Sequence, residues 1–449
     1  MSVDNYIITA ATIREPPTRF FQKLKFLGPG FILSASIVGS GELIATTILG
    51  AKAGFVAFWV IIVSCLIKVA VQLEFGKQAI LTGRTAMTSF NQLPGPHIGK
   101  AGWAVWAVLF ISAFKAIQLG GMIGGSAVVL AMLFPFLPLY VWVIFCVILA
   151  AALIASGIYK IVEKISLFMI AVFTITTITA VVALRFTEFS ISWADLQQGF
   201  QFKIPVEYLA VAFGAFGITG VGADEIIAYN YWCLEKGYAA YTGPRDDTPA
   251  WKKRAQGWIR VMYLDATAAM IIYTLVTAAF YLLGAAILHG RTNIPNGDGV
   301  IETLALIYTQ SLGPGVKVVY LIGAFFVLFS SVFAALAAFT RLYADIGGQM
   351  GWVNFFNPSE RNKLIRWLAC LLPVLWALLY FFIRLPVVMI ISGGIVGSVL
   401  LFLVVYAAIV FRNTRKKILP SGLLYTLAFT LSILTIFAVG VYGLSQLFN

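Results

Sequence analysis

Eleven stretches of about twenty largely apolar residues, separated by short polar segments, dominate this sequence. A hydrocarbon core about 30 Å thick takes roughly 20 helical residues to cross. The stretches lie near residues 27–48, 54–76, 103–133, 139–158, 165–184, 207–233, 259–288, 316–343, 366–383, 386–411 and 421–447. No β-barrel alternation is present, so the expected class is an all-α polytopic membrane protein. With 61% hydrophobic and only 11% charged residues, the chain departs from a soluble domain, a disordered chain or a nucleic-acid binder. The net charge of +13 is spread between apolar runs rather than gathered in one patch, so no nucleic-acid partner is expected. The first run follows a polar segment and ends in no small-residue cleavage site, so it is expected to be retained rather than removed as a signal peptide.

Placing the N-terminus inside puts 23 Lys and Arg residues in inner segments and six in outer ones. That asymmetry predicts a cytoplasmic N-terminus, and an odd number of spans then places Asn449 outside. The expected location is a plasma (inner) membrane. The four cysteines have no zinc or disulfide spacing and are expected to be reduced and buried. His97 and His289 lie outside the spans, which leaves no histidine metal cluster and no Ser/His/Asp triad. No phosphate-cradling Gly-x-x-x-x-Gly-Lys-Ser/Thr motif occurs, so ATP is not the expected driver. Neither enzymatic chemistry nor a cofactor is expected.

Two spans carry matching interruptions. The first contains Val38-Gly39-Ser40-Gly41-Glu42-Leu43-Ile44-Ala45; the sixth contains Thr219-Gly220-Val221-Gly222-Ala223-Asp224-Glu225-Ile226-Ile227-Ala228. Each reads as paired glycines, then acid, two aliphatics and an alanine. Five spans separate them, so they cross in opposite directions. That predicts a five-plus-five inverted repeat whose first and sixth helices break at mid-membrane, the pattern of secondary carriers. Expected divisions are a tail over 1–26, repeats over 27–185 and 207–411, and an eleventh helix within 421–449.

A carboxylate at the bilayer centre costs roughly 2.5–3.5 kcal/mol on insertion scales, which marks Glu42, Asp224 and Glu225 as candidate binding groups. The plainer reading of each is a neutral or paired acid that holds helices together. Glu225 is the expected equivalent of Glu42. Lys115, midway along the third span, needs a carboxylate partner, and the central acids are the expected ones. Three other sites read as structural: Glu74 with Lys77 as a solvated i,i+3 pair, Lys68 as a snorkelling side chain, and Asp265 as a structural partner or an inner-vestibule group. The pairs Gly120-Gly121, Gly124-Gly125 and Gly393-Gly394 predict close helix packing.

The chain resembles the Nramp family of divalent metal transporters. The likeness runs through Leu27-Gly28-Pro29-Gly30-Phe31, then Gly157-Ile158-Tyr159-Lys160-Ile161-Val162-Glu163-Lys164, then Leu264-Asp265-Ala266-Thr267-Ala268-Ala269-Met270 and Gly284-Ala285-Ala286-Ile287-Leu288. Ser330-Ser331 and the stretch from Arg366 to Pro373 agree more weakly. The resemblance implies a divalent cation as partner, moved by alternating access through the bilayer, in a monomer.

The family's functional motifs are altered here. Its first-helix Asp-Pro-Gly-Asn falls on Gly39-Ser40-Gly41-Glu42, so Gly39 replaces a metal-binding Asp and Glu42 a metal-binding Asn. Its sixth-helix Ala-x-x-Met-Pro-His falls on Ala223 to Ala228, so Ile226 replaces the thioether ligand and Ala228 the histidine linked to proton movement. The family's third-helix acids fall near Gln118 and Gly121. Losing sulfur and gaining carboxylate makes a harder site, suited to magnesium or manganese. Gly39, Ala223 and Ala228 leave room for a hydrated ion. Lys115 is expected as a fixed countercharge, and proton coupling is not expected. Two other readings stay open: a carrier that has lost the metal site and moves another small cationic or organic solute, and a membrane sensor that does not transport.

Overall fold

The computed structural model describes residues 4–39, 41–155, 159–290, 300–415 and 418–447. Ser40, Gly157, Ile158, Arg291, Lys416, Lys417 and Asn449, which figure in the sequence reading, lie outside the described residues. Among the described residues the architecture is helical, with one hairpin of two-residue strands pairing His97–Ile98 with Ala101–Gly102.

Among the described residues, eight helical rods are long and apolar enough to cross a membrane. Leu139–Ala155 and Thr174–Phe186 are shorter apolar helices. In chain order the main helices are α1 (Pro29–Ile37), α2 (Thr47–Ala53), α3 (Phe58–Thr82), α4 (Trp103–Leu133), α5 (Leu139–Ala155) and α6 (Tyr159–Ala183). The second set comprises α7 (Leu209–Ile218), α8 (Ala223–Glu235), α9 (Pro249–Leu283), α10 (Lys317–Gln349), α11 (Pro358–Ile383) and α12 (Pro386–Arg415), and α13 (Leu423–Leu447) follows. Each set opens with a rod interrupted midway and continues with four uninterrupted helices.

Small residues let the rods approach closely. α4 packs against α10, α11 and α12, and its glycines form the contact. A Cβ on Gly120 would meet the Trp376 carbonyl at 2.6 Å, and one on Gly121 would meet Met389 Cβ at 2.9 Å. Gly394 sits against the Gly214 carbonyl, where α12 crosses α7. Close van der Waals packing, rather than hydrophobic collapse, joins helices in lipid. On the other side, α9 packs on α1 and α3, and α3 also packs on α8 and α13.

Asp265 of α9 fixes where α1 begins. Its two carboxylate oxygens accept the Gly28 and Gly30 amides at 2.8 and 2.5 Å, satisfying donors left free at a helix start. Of the two expectations for Asp265, the structural one describes its contacts. Two other expectations need correction. Glu74 and Lys77 are not solvated: both are buried, and Glu74 also binds Arg415 at 2.6 Å and the Tyr425 hydroxyl at 2.5 Å. The i,i+3 pair is therefore part of a buried joint between α3, α12 and α13. Among the cysteines, Cys370 is exposed, on an outward face of α11, whereas Cys65, Cys146 and Cys233 are buried; all four are free.

The N-terminal segment crosses the face where α8, α10 and α11 present their charged ends. Asp4 pairs with Arg361 at 2.8 Å, and the Tyr6 hydroxyl donates to Glu235 at 2.8 Å. Glu235 also pairs with Arg341. Further along, the Arg14 amide donates to the Tyr241 carbonyl at 3.0 Å, and Trp258 Nε1 donates to the Arg14 carbonyl at 3.0 Å.

Candidate functional site at the paired helix breaks

Both interruptions fall on the glycine–acid segments. In the sixth span, α7 stops at Ile218, Thr219 is extended with φ −73° and ψ 144°, and Gly220 has φ +61°. Glycine adopts that left-handed angle without the penalty other residues incur. It is also the only residue type with room there, because a Cβ would come within 2.8 Å of Cys65 Cα. α8 then starts at Ala223, which puts Asp224 and Glu225 in its first turn. In the first span, α1 stops at Ile37 and the chain resumes as a π-helical turn over Gly41–Thr46, with Glu42 at its start.

The broken ends create complementary charge sites. A helix start carries partial positive charge and a helix end partial negative charge. Asp224 and Glu225 lie at a start. At the end of α7, the freed carbonyls of Phe216 and Thr219 meet the Lys68 ammonium, which donates to them at 2.7 and 2.5 Å. Lys68 is 0% exposed, so it does not snorkel to a surface as its sequence position suggested. Ser64, one turn earlier on α3, donates to the same carbonyls at 3.0 Å.

Glu42 is fully buried. Its Oε1 accepts the Thr277 hydroxyl at 3.2 Å and the Gly220 amide at 3.4 Å, so the acid of one break touches the backbone of the other. Its Oε2 makes no hydrogen bond among the described residues. Glu225 turns toward α1, where Ser36 Oγ lies 3.5 Å from Oε1. Asp224 points another way: Lys115 Nζ is 3.1 Å from its Oδ1, a close ion pair without the alignment of a hydrogen bond. Lys115 also donates to the Gly393 carbonyl at 3.3 Å. The first turn of α8 thus sends its two acids to different neighbours, as about 100° per residue requires.

A narrow cleft of about 20 Å³ lies beside these acids, lined by Ile32, Ser36, Asp224, Glu225, Ala228 and Ala334 among others. A smaller one of about 10 Å³ extends it from Asp224 past Ala228 to Tyr231 and Leu342. The remaining positions singled out in the sequence are packed. Gly39 abuts Ser331 so closely that a Cβ would overlap its hydroxyl oxygen. That hydroxyl donates to the Ser36 carbonyl at 3.0 Å. Ala223 and Ile226 are 0% exposed. Gln118 is buried against Gly393, and its Oε1 makes no hydrogen bond among the described residues. His289 is remote from the acids, bonded at Nδ1 to the Ala51 carbonyl, and His97 is exposed.

Among the described residues, no three His, Cys, Asp or Glu side chains gather at ligand spacing for a metal. The arrangement is instead an alternation of acids and ammonium groups across the two breaks. Sequence reasoning assigned no role to Ser64, Thr277 or Ser331 and read Lys68 as structural. The available signal was polarity within apolar runs, which does not say which way a side chain points.

The model for the family described as natural resistance-associated macrophage protein-like, Nramp, matches residues 30–446. A relative named divalent metal cation transporter MntH, from Listeria welshimeri, is 26% identical over 413 residues, covering 89% of this chain and 84% of its own length. Among solved structures, a mutant of the Eremococcus coleocola manganese transporter superposes with a TM-score of 0.56 at 13% identity, covering 98% of this chain and 99% of the other. Mhp1, a nucleobase-cation-symport-1 family transporter in a closed conformation, gives 0.59 at 13% identity over 96% and 92%. With a family model covering nearly its whole length, the chain belongs to the Nramp family and is a multi-pass membrane transporter, not an enzyme.

Proposed function

We propose that this transporter carries a divalent cation of the hard, oxygen-preferring class, magnesium or manganese, by alternating access and without moving protons. The observation that carries the reading is Glu42 Oε2: a fully buried carboxylate oxygen, at the break of one helix, with no hydrogen-bond partner among the described residues. A buried acceptor left in that state is costly unless a proton or cation completes it. Glu225 supplies the second carboxylate from the other break, and Asp224 the third acid, held at Lys115. With so few side-chain ligands, the ion would retain waters and take backbone carbonyls, which suits magnesium. Ile226 stands where relatives place sulfur, and an aliphatic side chain offers nothing to a soft metal. The printed names of the Listeria and Eremococcus relatives support divalent metal as cargo. The excess of basic residues in the inner segments supports an N-terminus in the cytoplasm, and the proposed location is a plasma (inner) membrane.

A second reading has its own support. Lys115 pairs with Asp224, which leaves Glu42 and Glu225 without an ion-pair partner among the described residues, and a small organic ammonium would supply the missing countercharge. Calorimetric titration of the purified protein with magnesium, manganese and calcium, beside a panel of small amines, separates the two. The metal reading expects saturable heat with magnesium or manganese and loss of both binding and uptake in Glu42→Gln and Glu225→Gln, with the variants still extractable as folded protein. Parental affinity in the double variant would reject it. Heat from amines alone would select the second reading.

A further inference from the structure

We infer that the Lys68 ammonium is the resident cation of the sixth-helix break, occupying a carbonyl cage that would otherwise take a small monovalent cation. Where a helix is interrupted inside a membrane, its last carbonyls lose their partners and must be satisfied by another group. At the end of α7 those carbonyls belong to Phe216 and Thr219, and both point at one atom, Lys68 Nζ, at 2.7 and 2.5 Å. Ser64 Oγ donates to the same two carbonyls at 3.0 Å and holds them in place. The Phe216 ring faces the ammonium from 5.1 Å, within the range of a cation–π contact. Glu42 stands at the same break, its Oε1 accepting the Gly220 amide at 3.4 Å. Two converging carbonyls and an aromatic face, with a carboxylate at the same break, are surroundings suited to a desolvated monovalent cation. Here the cation is covalently tethered by α3.

The tether has a definite consequence. A free ion at the break would have to be supplied from solution at a concentration set by its affinity. A lysine is present at every moment and does not leave with the cargo. Its charge also joins α3 to α7, so the helix that supplies the cation is fixed to the half-helix that receives it. This transporter therefore needs no monovalent co-ion to hold its broken helix together. The inference rests on reading the two breaks as the transport site, but not on which cation crosses there.

The test removes the tethered charge and offers a free one. Lys68→Ala opens the volume of the side chain; Lys68→Gln keeps a donor for the carbonyls without the charge. Thermal unfolding of each purified protein is followed in sodium, potassium, ethylammonium and, as a bulky control, N-methyl-D-glucamine chloride. The parent should unfold at one temperature in all four. Lys68→Ala should unfold lower in the bulky cation and recover saturably, by about 2 °C or more, with at least one small cation, as binding to the folded state alone requires. Lys68→Gln should recover less, because its amide partly fills the cage. A folded Lys68→Ala that is indifferent to every small cation would overturn the inference, as would a parent that depends on sodium or potassium. Recovery of neither variant in any medium, with Lys68→Arg recovered normally, would mark the lysine as a brace only and overturn it as well. Because unfolding is read without divalent metal, failure of the proposed metal transport leaves this result unaffected.

Discussion

Gly39 and Ser331 act as one unit. The glycine lies where the resemblance to the Nramp motif implies a metal-binding acid, and the space its side chain would take is filled by the Ser331 hydroxyl. Restoring the acid by Gly39→Asp alone should destabilise the protein by about 1–3 kcal/mol through overpacking. Gly39→Asp with Ser331→Gly should recover much of that loss, a non-additivity that thermal unfolding of the four proteins in the cycle will measure. Strictly additive losses would show that the two positions do not share space. Ile226 sets a different property. In metal competition assays, Ile226→Met should shift preference toward cadmium and iron by about tenfold, or ~1.4 kcal/mol, because thioether sulfur favours soft metals. An unmodified protein that already prefers cadmium strongly over magnesium and manganese would contradict the hard-site reading.

At the scale of elements, the buried joint around Glu74 binds α3 to α12 and α13. Arg415, Lys77 and the Tyr425 hydroxyl all converge on one carboxylate, and the Lys77 ammonium also lies 3.3 Å over the Tyr425 ring. Glu74→Ala should cost about 3–5 kcal/mol, since it strands buried cations. Thermal unfolding in detergent will register the loss, and uptake per folded molecule should change little. This joint illustrates what sequence conveys and what it does not. The two breaks were legible because a glycine pair beside an acid in an apolar run favours an unwound segment over a continuous helix, and the resemblance extended that reading to the whole chain. The ion pair of Lys115 was half legible: depth demanded an acid, but only the rotation of α8 selects Asp224 over Glu225. Glu74 and Lys77 were misread because an i,i+3 pair has the same spacing on a wet face or a dry one, and burial depends on α12 and α13, more than three hundred residues later. Lys68 was misread for a related reason. Its partners are backbone carbonyls, which exist as acceptors only where the helix stops and carry no side-chain signature.

For the whole molecule, the distribution of titratable groups bears on energetics. Neither histidine approaches the breaks, and the third-span positions Gln118 and Gly121 carry no acid. Uptake into proteoliposomes should therefore follow the cation gradient and an inside-negative potential, worth about 2.3 kcal/mol per charge per 100 mV, without moving protons. A pH dye in the lumen should stay constant during uptake; substrate-dependent acidification would contradict this, and loss of the signal in Lys115→Met would name Lys115 as the carrier. The N-terminal segment adds a different consequence, one of timing. Its partners are Glu235, Tyr241, Trp258 and Arg361, and the Asp4–Arg361 contact spans 357 positions. A chain is made from its N-terminal side, so this segment emerges before the spans it docks on and waits while eight spans are synthesised ahead of Arg361. The contacts with Glu235, Tyr241 and Trp258 become available once α9 has begun, but the Asp4–Arg361 pair closes only after Arg361 has been added, which ties the last step of its docking to the arrival of α11.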